Sequence, residues 1–121
     1  MRGYDYMSNN KKKSNKQPFI DEHSGSVSFN NLPAGEKQTT FEDFTVNHNK
    51  AVVVAHTEDN PITLIIKTKH GKEIIRTVDA EADIAVQVED IKKVTIICNA
   101  LAGTCSGFVE NFLYRMLITL K

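Results

Sequence analysis

Few side chains in this sequence are suited to chemistry, and they are scattered. They comprise two cysteines (Cys98, Cys105), four histidines (His23, His48, His56, His70) and three Glu-Asp pairs, Glu42–Asp43, Glu58–Asp59 and Glu89–Asp90. A zinc site wants four ligands, usually as close Cys or His pairs, and no second pair accompanies the cysteines, which lie seven positions apart. The Cys-x-x-Cys spacing of redox proteins is absent, and a catalytic cysteine needs a His partner that spacing alone does not supply. Cys98 closes one β-type segment and Cys105 opens the next, with "NALAGT" between them. Two readings stand at this point. One is a disulfide across an antiparallel hairpin, adding about 2–3 kcal/mol by closing a short loop; the other is a pair of reduced, half-buried thiols.

Of the histidines only His56 lies beside carboxylates, in "AHTED", where a metal ion could bind, although a strand-end His next to turn acids is ordinarily plain surface. There is no His-x-His pair of the cupin kind, no Gly-rich phosphate loop and no Gly-x-Ser-x-Gly elbow. The acidic pairs fall at turns or strand ends, as weak calcium ligands or as solvated turn charges. The expectation is a protein that is not an enzyme, with no catalytic residues, no cofactor and no metal.

The elements that would position these residues read as short period-two segments bounded by turn residues. "SVSFNNL" places Val27 and Phe29 on one face, and "TTFEDFTV" carries Phe41, Phe44 and Val46 with room for a bulge. "AVVVAHT" and "ITLIIKT" are β-branched runs separated by "EDNP", and "KHGK" around Gly71 reads as a hairpin turn into "EIIRTV". "ADIAVQVE" alternates Ile84, Val86 and Val88 with Ala85 and Gln87, and "VTIIC" follows. The last segment fits two periods. Phe108, Phe112, Leu113, Met116, Leu117 and Leu120 make a helical face, whereas Phe108, Phe112, Tyr114, Met116, Ile118 and Leu120 share strand parity. Strand is preferred because the segment follows a tight loop and would pair with "VTIIC". About eight strands without a helical crossover predict an all-β, antiparallel jelly-roll sandwich.

A chain of 121 residues is one ordinary domain. Formal net charge is zero but uneven: residues 1–20 hold five bases against one acid, a net +4, so the remainder carries −4. No stretch reaches the roughly 18 apolar residues of a membrane helix, and the N-terminus lacks the apolar region of a signal peptide, so a soluble protein outside the ordinary secretory route is expected. Residues 1–18 hold too little apolar surface to offset the entropy of ordering them. Residues 1–22 are therefore read as a flexible basic arm and 23–121 as the core domain. The run "KKKSNK" is short and lacks interleaved aromatics, which argues against a nucleic-acid partner.

The stretch "VQVEDIKKVTIICNALAGTCSGFVENFLYRMLI" resembles the C-terminal half of the endospore appendage core domain, found in subunits of Bacillus spore pili. The features that carry it are a V-x-V strand, a Lys-containing turn, "VTIIC", a Gly-containing loop and "CSG" opening the last strand; about residues 84–120 are covered, and 25–83 only loosely. The resemblance implies a self-assembling jelly-roll subunit of a fibre on the spore surface (exosporium or coat), with identical subunits as partners, a surface anchor and a tip protein as further ones, and no membrane partner. It also implies an N-terminal arm that enters a neighbouring subunit. In that family, cysteines in the arm bridge to the next core, yet residues 1–97 here contain none. Cys98–Cys105 would then be internal and the fibre non-covalent, held by strand addition along a sheet edge. Tyr4, Tyr6, Met7, Phe19 and Ile20 are the apolar anchors available to such an arm. The alternative class is a monomeric jelly-roll binding module for carbohydrate or surface adhesion, against which stands the lack of Trp and the expected burial of most of the six Phe.

Overall fold

The computed structural model describes the backbone of residues 19–117 and the side chains of residues 22–115, and every regular element among them is a strand. In chain order these are β1 (Phe19–Pro33), β2 (Lys37–Glu42), β3 (Asn49–Thr57), β4 (Ile62–Thr68), β5 (Glu73–Val78), β6 (Asp83–Glu89), β7 (Ile91–Cys98) and β8 (Thr104–Leu117). They form two four-stranded antiparallel sheets, ordered β1-β8-β3-β6 and β2-β7-β4-β5. The expected all-β architecture of eight strands is observed, and this interleaved order is compatible with the jelly roll expected.

Alternation explains why the runs settle as they do. In β3 the side chains of Ala51, Val53, Ala55 and Thr57 are buried while Val52, Val54 and His56 are half-buried on the outer face. In β4, Ile62, Leu64 and Ile66 are wholly buried, and Val94, Ile96 and Cys98 of β7 lie in the same core. Phe29, Val109 and Leu113 of the first sheet join them, so the two inner faces close one apolar layer. Each such aliphatic side chain contributes roughly 1.5–3 kcal/mol on burial. The bulge anticipated in "TTFEDFTV" lies between Thr39 and Phe41, where the β2–β7 register shifts.

Three sequence expectations are corrected. The last segment is a strand, but it does not pair with β7; it runs between β1 and β3 in the other sheet, because the loop of residues 99–103 crosses from sheet to sheet. Its core face is also the opposite parity from the aromatic one. Cys105, Gly107, Val109, Asn111 and Leu113 point inward, whereas Phe112 and Tyr114 are exposed on the outer face. Finally, the strand in "TTFEDFTV" stops at Glu42, leaving Phe44 and Val46 in a loop and exposed rather than on a core face. Only Phe29 of the described phenylalanines is fully buried.

Candidate assembly interface

The Cys-Ser-Gly stretch is a corner that ties the two sheets together. Cys98 ends β7 in one sheet and Cys105 opens β8 in the other, their Cα atoms 5.6 Å apart and their Sγ atoms bonded. The bridge therefore links sheet to sheet rather than the two arms of one hairpin. Ser106 ties the loop of residues 58–61 to the irregular stretch of β1: its amide donates to Asp59 Oδ1 (3.0 Å), its carbonyl accepts from Glu58 N (2.8 Å), and its Oγ accepts from Asn31 N (2.9 Å). The Ser106 amide, opposed by burial and aided by the Asn60 amide and the Thr57 hydroxyl, holds the Asp59 carboxyl below its ordinary value. Gly107 is required by space, since a Cβ there would run into the His56 carbonyl oxygen and come within 2.8 Å of Phe29 Cζ.

The other end of the sandwich is organised by Asp43 and Asp90. The Asp43 side chain is fully buried and accepts from Thr45 N (2.9 Å), Thr45 Oγ1 (2.8 Å), Asn49 Nδ2 (3.0 Å) and Lys69 Nζ (3.1 Å), with Arg115 Nε at 3.5 Å. Burial pushes its pKa up, but the Thr45 and Lys69 hydrogen bonds and the Lys69 charge outweigh burial and hold it at about 2. Asp90 is the single residue between β6 and β7, in the left-handed conformation (φ 56°) that Asp tolerates better than most side chains. Its carboxylate meets His70 Nε2 (2.9 Å), His48 Nδ1 (3.0 Å) and Asn49 N (3.3 Å). The His70 contact, opposed by burial and joined by His48 and Asn49, lowers its pKa to about 2.

In each of the three Glu-Asp pairs, then, the Asp fastens loops while the Glu (Glu42, Glu58, Glu89) is exposed. His56 does not face its neighbouring acids; its ring stacks on Phe108 with centroids 5.0 Å apart. Among the described residues no three His, Cys, Asp or Glu side chains converge as metal ligands. No helix is long and apolar enough to cross a membrane among the described residues.

Surfaces suited to meeting other chains lie on the outer sheet face and at the sheet edges. Val52, Gln87, Phe112 and Tyr114 line a shallow trough of about 430 Å³ on the outside of the first sheet. Among the described residues, β1 and β6 flank one sheet and β2 and β5 the other, so each presents one side without a strand neighbour. Of the arm residues, Tyr4, Tyr6 and Met7 lie outside the described residues. The backbones of Phe19 and Ile20 pair with Leu117 and Met116 of β8, so the first strand begins four residues inside the segment 1–22 read as an arm.

The fold has a counterpart among solved structures. A chain from Bacillus endospore appendages, described as a novel family of disulfide-linked pili, superposes with a TM-score of 0.70 at 16% identity, covering 91% of this chain and 99% of that one. The two chains share a fold. A cyanophage Pam1 capsid chain matches at a TM-score of 0.43 and 16% identity, covering 91% of this chain and 94% of that one. No protein-family model and no curated protein matches.

Proposed function

We propose that this protein is a structural subunit of a fibre on a spore surface, assembling from identical copies without covalent links between them. The observation that carries this reading is the shared fold with an appendage pilus chain over nearly the whole of both sequences. The resemblance of "VTIIC" and "CSG" to the same family agrees with it. In this reading the residues before β1 are the donor arm, and Tyr4, Tyr6 and Met7 are its anchors. The arm adds as a strand to an unpaired sheet edge of the next copy, with main-chain hydrogen bonds supplying affinity. Both cysteines are committed to the Cys98–Cys105 bridge inside one subunit, which leaves none to link neighbours. The protein acts structurally, without catalysis, and its anchor and tip partners belong to the same proposal.

Negative-stain electron microscopy of the full chain beside a version lacking residues 1–18 tests this. Truncation at 18 rather than 22 leaves β1 whole. Fibres from the full chain alone, persisting in reductant, are expected. Fibres from both would move assembly to the core, and separate particles from both would favour a monomeric binding module, for which the exposed Phe112 and Tyr114 offer an aromatic surface.

A further inference from the structure

The outward side chains of the first sheet stand in rows set by its register. Glu22, Tyr114, Lys50 and Glu89 face one another across the four strands, and Phe112, Val52 and Gln87 form the next row. Glu110 lies beyond them beside Val54, and Asp83 beside His56. Among the described residues this face therefore carries four acids, Glu22, Asp83, Glu89 and Glu110, against one base, Lys50, a formal −3. Glu22, Asp83 and Glu89 are exposed and Glu110 is half-buried. The outer face of the second sheet has the opposite sign. There Lys37, Lys67 and Lys93 stand against Glu42 and Glu73, a formal +1.

Aromatic rings lie among the acids of the first face. Phe112 and Tyr114 are 43% and 53% exposed, and the trough of about 430 Å³ runs between them and Gln87 and Glu89. Carboxylates beside exposed ring faces suit an ammonium group, which pairs with the one and sits over the other. The chain itself holds the matching groups. Residues 1–18 contain Arg2, Lys11, Lys12, Lys13 and Lys16 against Asp5, a formal +4. They lead into β1 at Phe19, which pairs with Leu117 at the pole of the sandwich that holds Asp43 and Asp90. Phe19 is three positions from the row that begins at Glu22. Lys11 stands eight positions before Phe19, a stretch that can span about 26 Å. Strand geometry puts Glu89 about 17 Å and Glu110 about 23 Å from Phe19, so both are within reach.

We infer that in an unassembled copy the basic segment 1–18 lies across the acidic, aromatic outer face of its own first sheet, with its lysines at Glu89 and Glu110 and over Phe112 and Tyr114. Charge selects the face, because the outer face of the second sheet offers a +4 segment no net attraction. Tethering selects the chain. A segment joined to β1 meets this face at an effective concentration on the order of mM, far above that of a separate copy in dilute solution. The contact goes beyond the fibre reading and does not require it. Its consequence for assembly is that the segment must leave this face before it can be donated to a neighbour, and that salt, by screening exposed charges, releases it.

The test uses the full wild-type chain as an equal mixture of nitrogen-14 and nitrogen-15 protein, at a dilution where sedimentation velocity finds monomer. Carbodiimide joins lysines directly to carboxylates, and mass spectrometry identifies the joined pairs and whether they share an isotope. Glu42 and Glu73 are the reference, since both are exposed, lie on the other outer face and stand at the pole where β1 begins. Glu22 is left out of the count because its nearness in sequence joins it to Lys16 in any case. Couplings from Lys11, Lys12, Lys13 and Lys16 are expected on Glu89 and Glu110 about fivefold more often than on Glu42 and Glu73, within single chains. They should fall by a similar factor between about 20 mM and about 0.5 M salt. Equal coupling to the two faces overturns the contact, and so do couplings to Glu89 and Glu110 that join one isotope to the other. Because the protein is monomeric throughout, a failure of the fibre reading shows separately, in the electron microscopy.

Discussion

Replacing Asp43 with Asn should destabilise the protein by an amount that depends on pH in one direction only. The Asp43 pKa is lowered from 3.8 to about 2, and each unit of difference between folded and unfolded states is worth about 1.4 kcal/mol, so its ionised form contributes about 2 kcal/mol. The folded pKa lies below the unfolded one. The contribution is therefore complete above about pH 4 and lost as pH falls through about 2. Asp43→Asn also removes a counter-charge from Lys69, whose side chain is only 15% exposed. Urea unfolding of both proteins from about pH 7 to about pH 2 reads the effect. With a urea slope of about 1 kcal/mol per molar for a domain this size, the midpoints should differ by about 2 M near neutrality and converge toward about pH 2. Asp90 loses its contribution over the same window, but in both proteins, so the difference between them isolates Asp43. A midpoint difference that stays constant across the range would refute the argument, because it would assign the effect to packing of the loop rather than to the charge.

Gly107→Ala should cost about 3 kcal/mol or prevent folding, since the new methyl meets backbone that β3 and β8 hold in register; thermal melts beside Gly25→Ala, where nothing lies within 4 Å, provide the control. Intact-mass measurement without reductant should find the protein two hydrogen atoms lighter than its reduced form. Cys98→Ser with Cys105→Ser should lower stability by about 2–3 kcal/mol while leaving any fibres intact in reductant. Asn49→Ala removes donors to Asp43 Oδ2 and the Ile91 carbonyl (both 3.0 Å) and the acceptor for Ile91 N (2.8 Å), all buried; a loss of about 3 kcal/mol in urea is expected, with little recovery in Asn49→Asp, which lacks the donor.

How much of this was legible depends on whether a feature is local. "AVVVAHT" and "ITLIIKT" announce β3 and β4 because β-branched runs of that length between turn residues favour strands whatever surrounds them. The single-domain size, the all-β class and the absence of known catalytic motifs follow from composition and spacing in the same way. The pairing of Cys98 with Cys105 could be entertained from sequence, but the wrong route was assumed for it, through a hairpin instead of across two sheets. Gly107 carried a signal in "CSG", whereas its reason, the nearness of the His56 carbonyl and Phe29, did not.

What only the tertiary structure decided is which face of each strand is the inside. In β8 both parities are apolar enough, so the core side was set by what packs opposite: Val109 and Leu113 fit against the second sheet, and the aromatics went outward. The loop acids were likewise undecidable alone. Glu42–Asp43 and Glu89–Asp90 look alike as pairs, and the Asp of each became a fastener only because antiparallel strands bring Lys69, His48, His70 and Asn49 from distant positions to the same pole. Strand propensity is a property of a few adjacent residues and is written along the chain. Facing, register and the meeting of charges depend on contacts between segments far apart in sequence, and they come into being only when the two sheets close on one another.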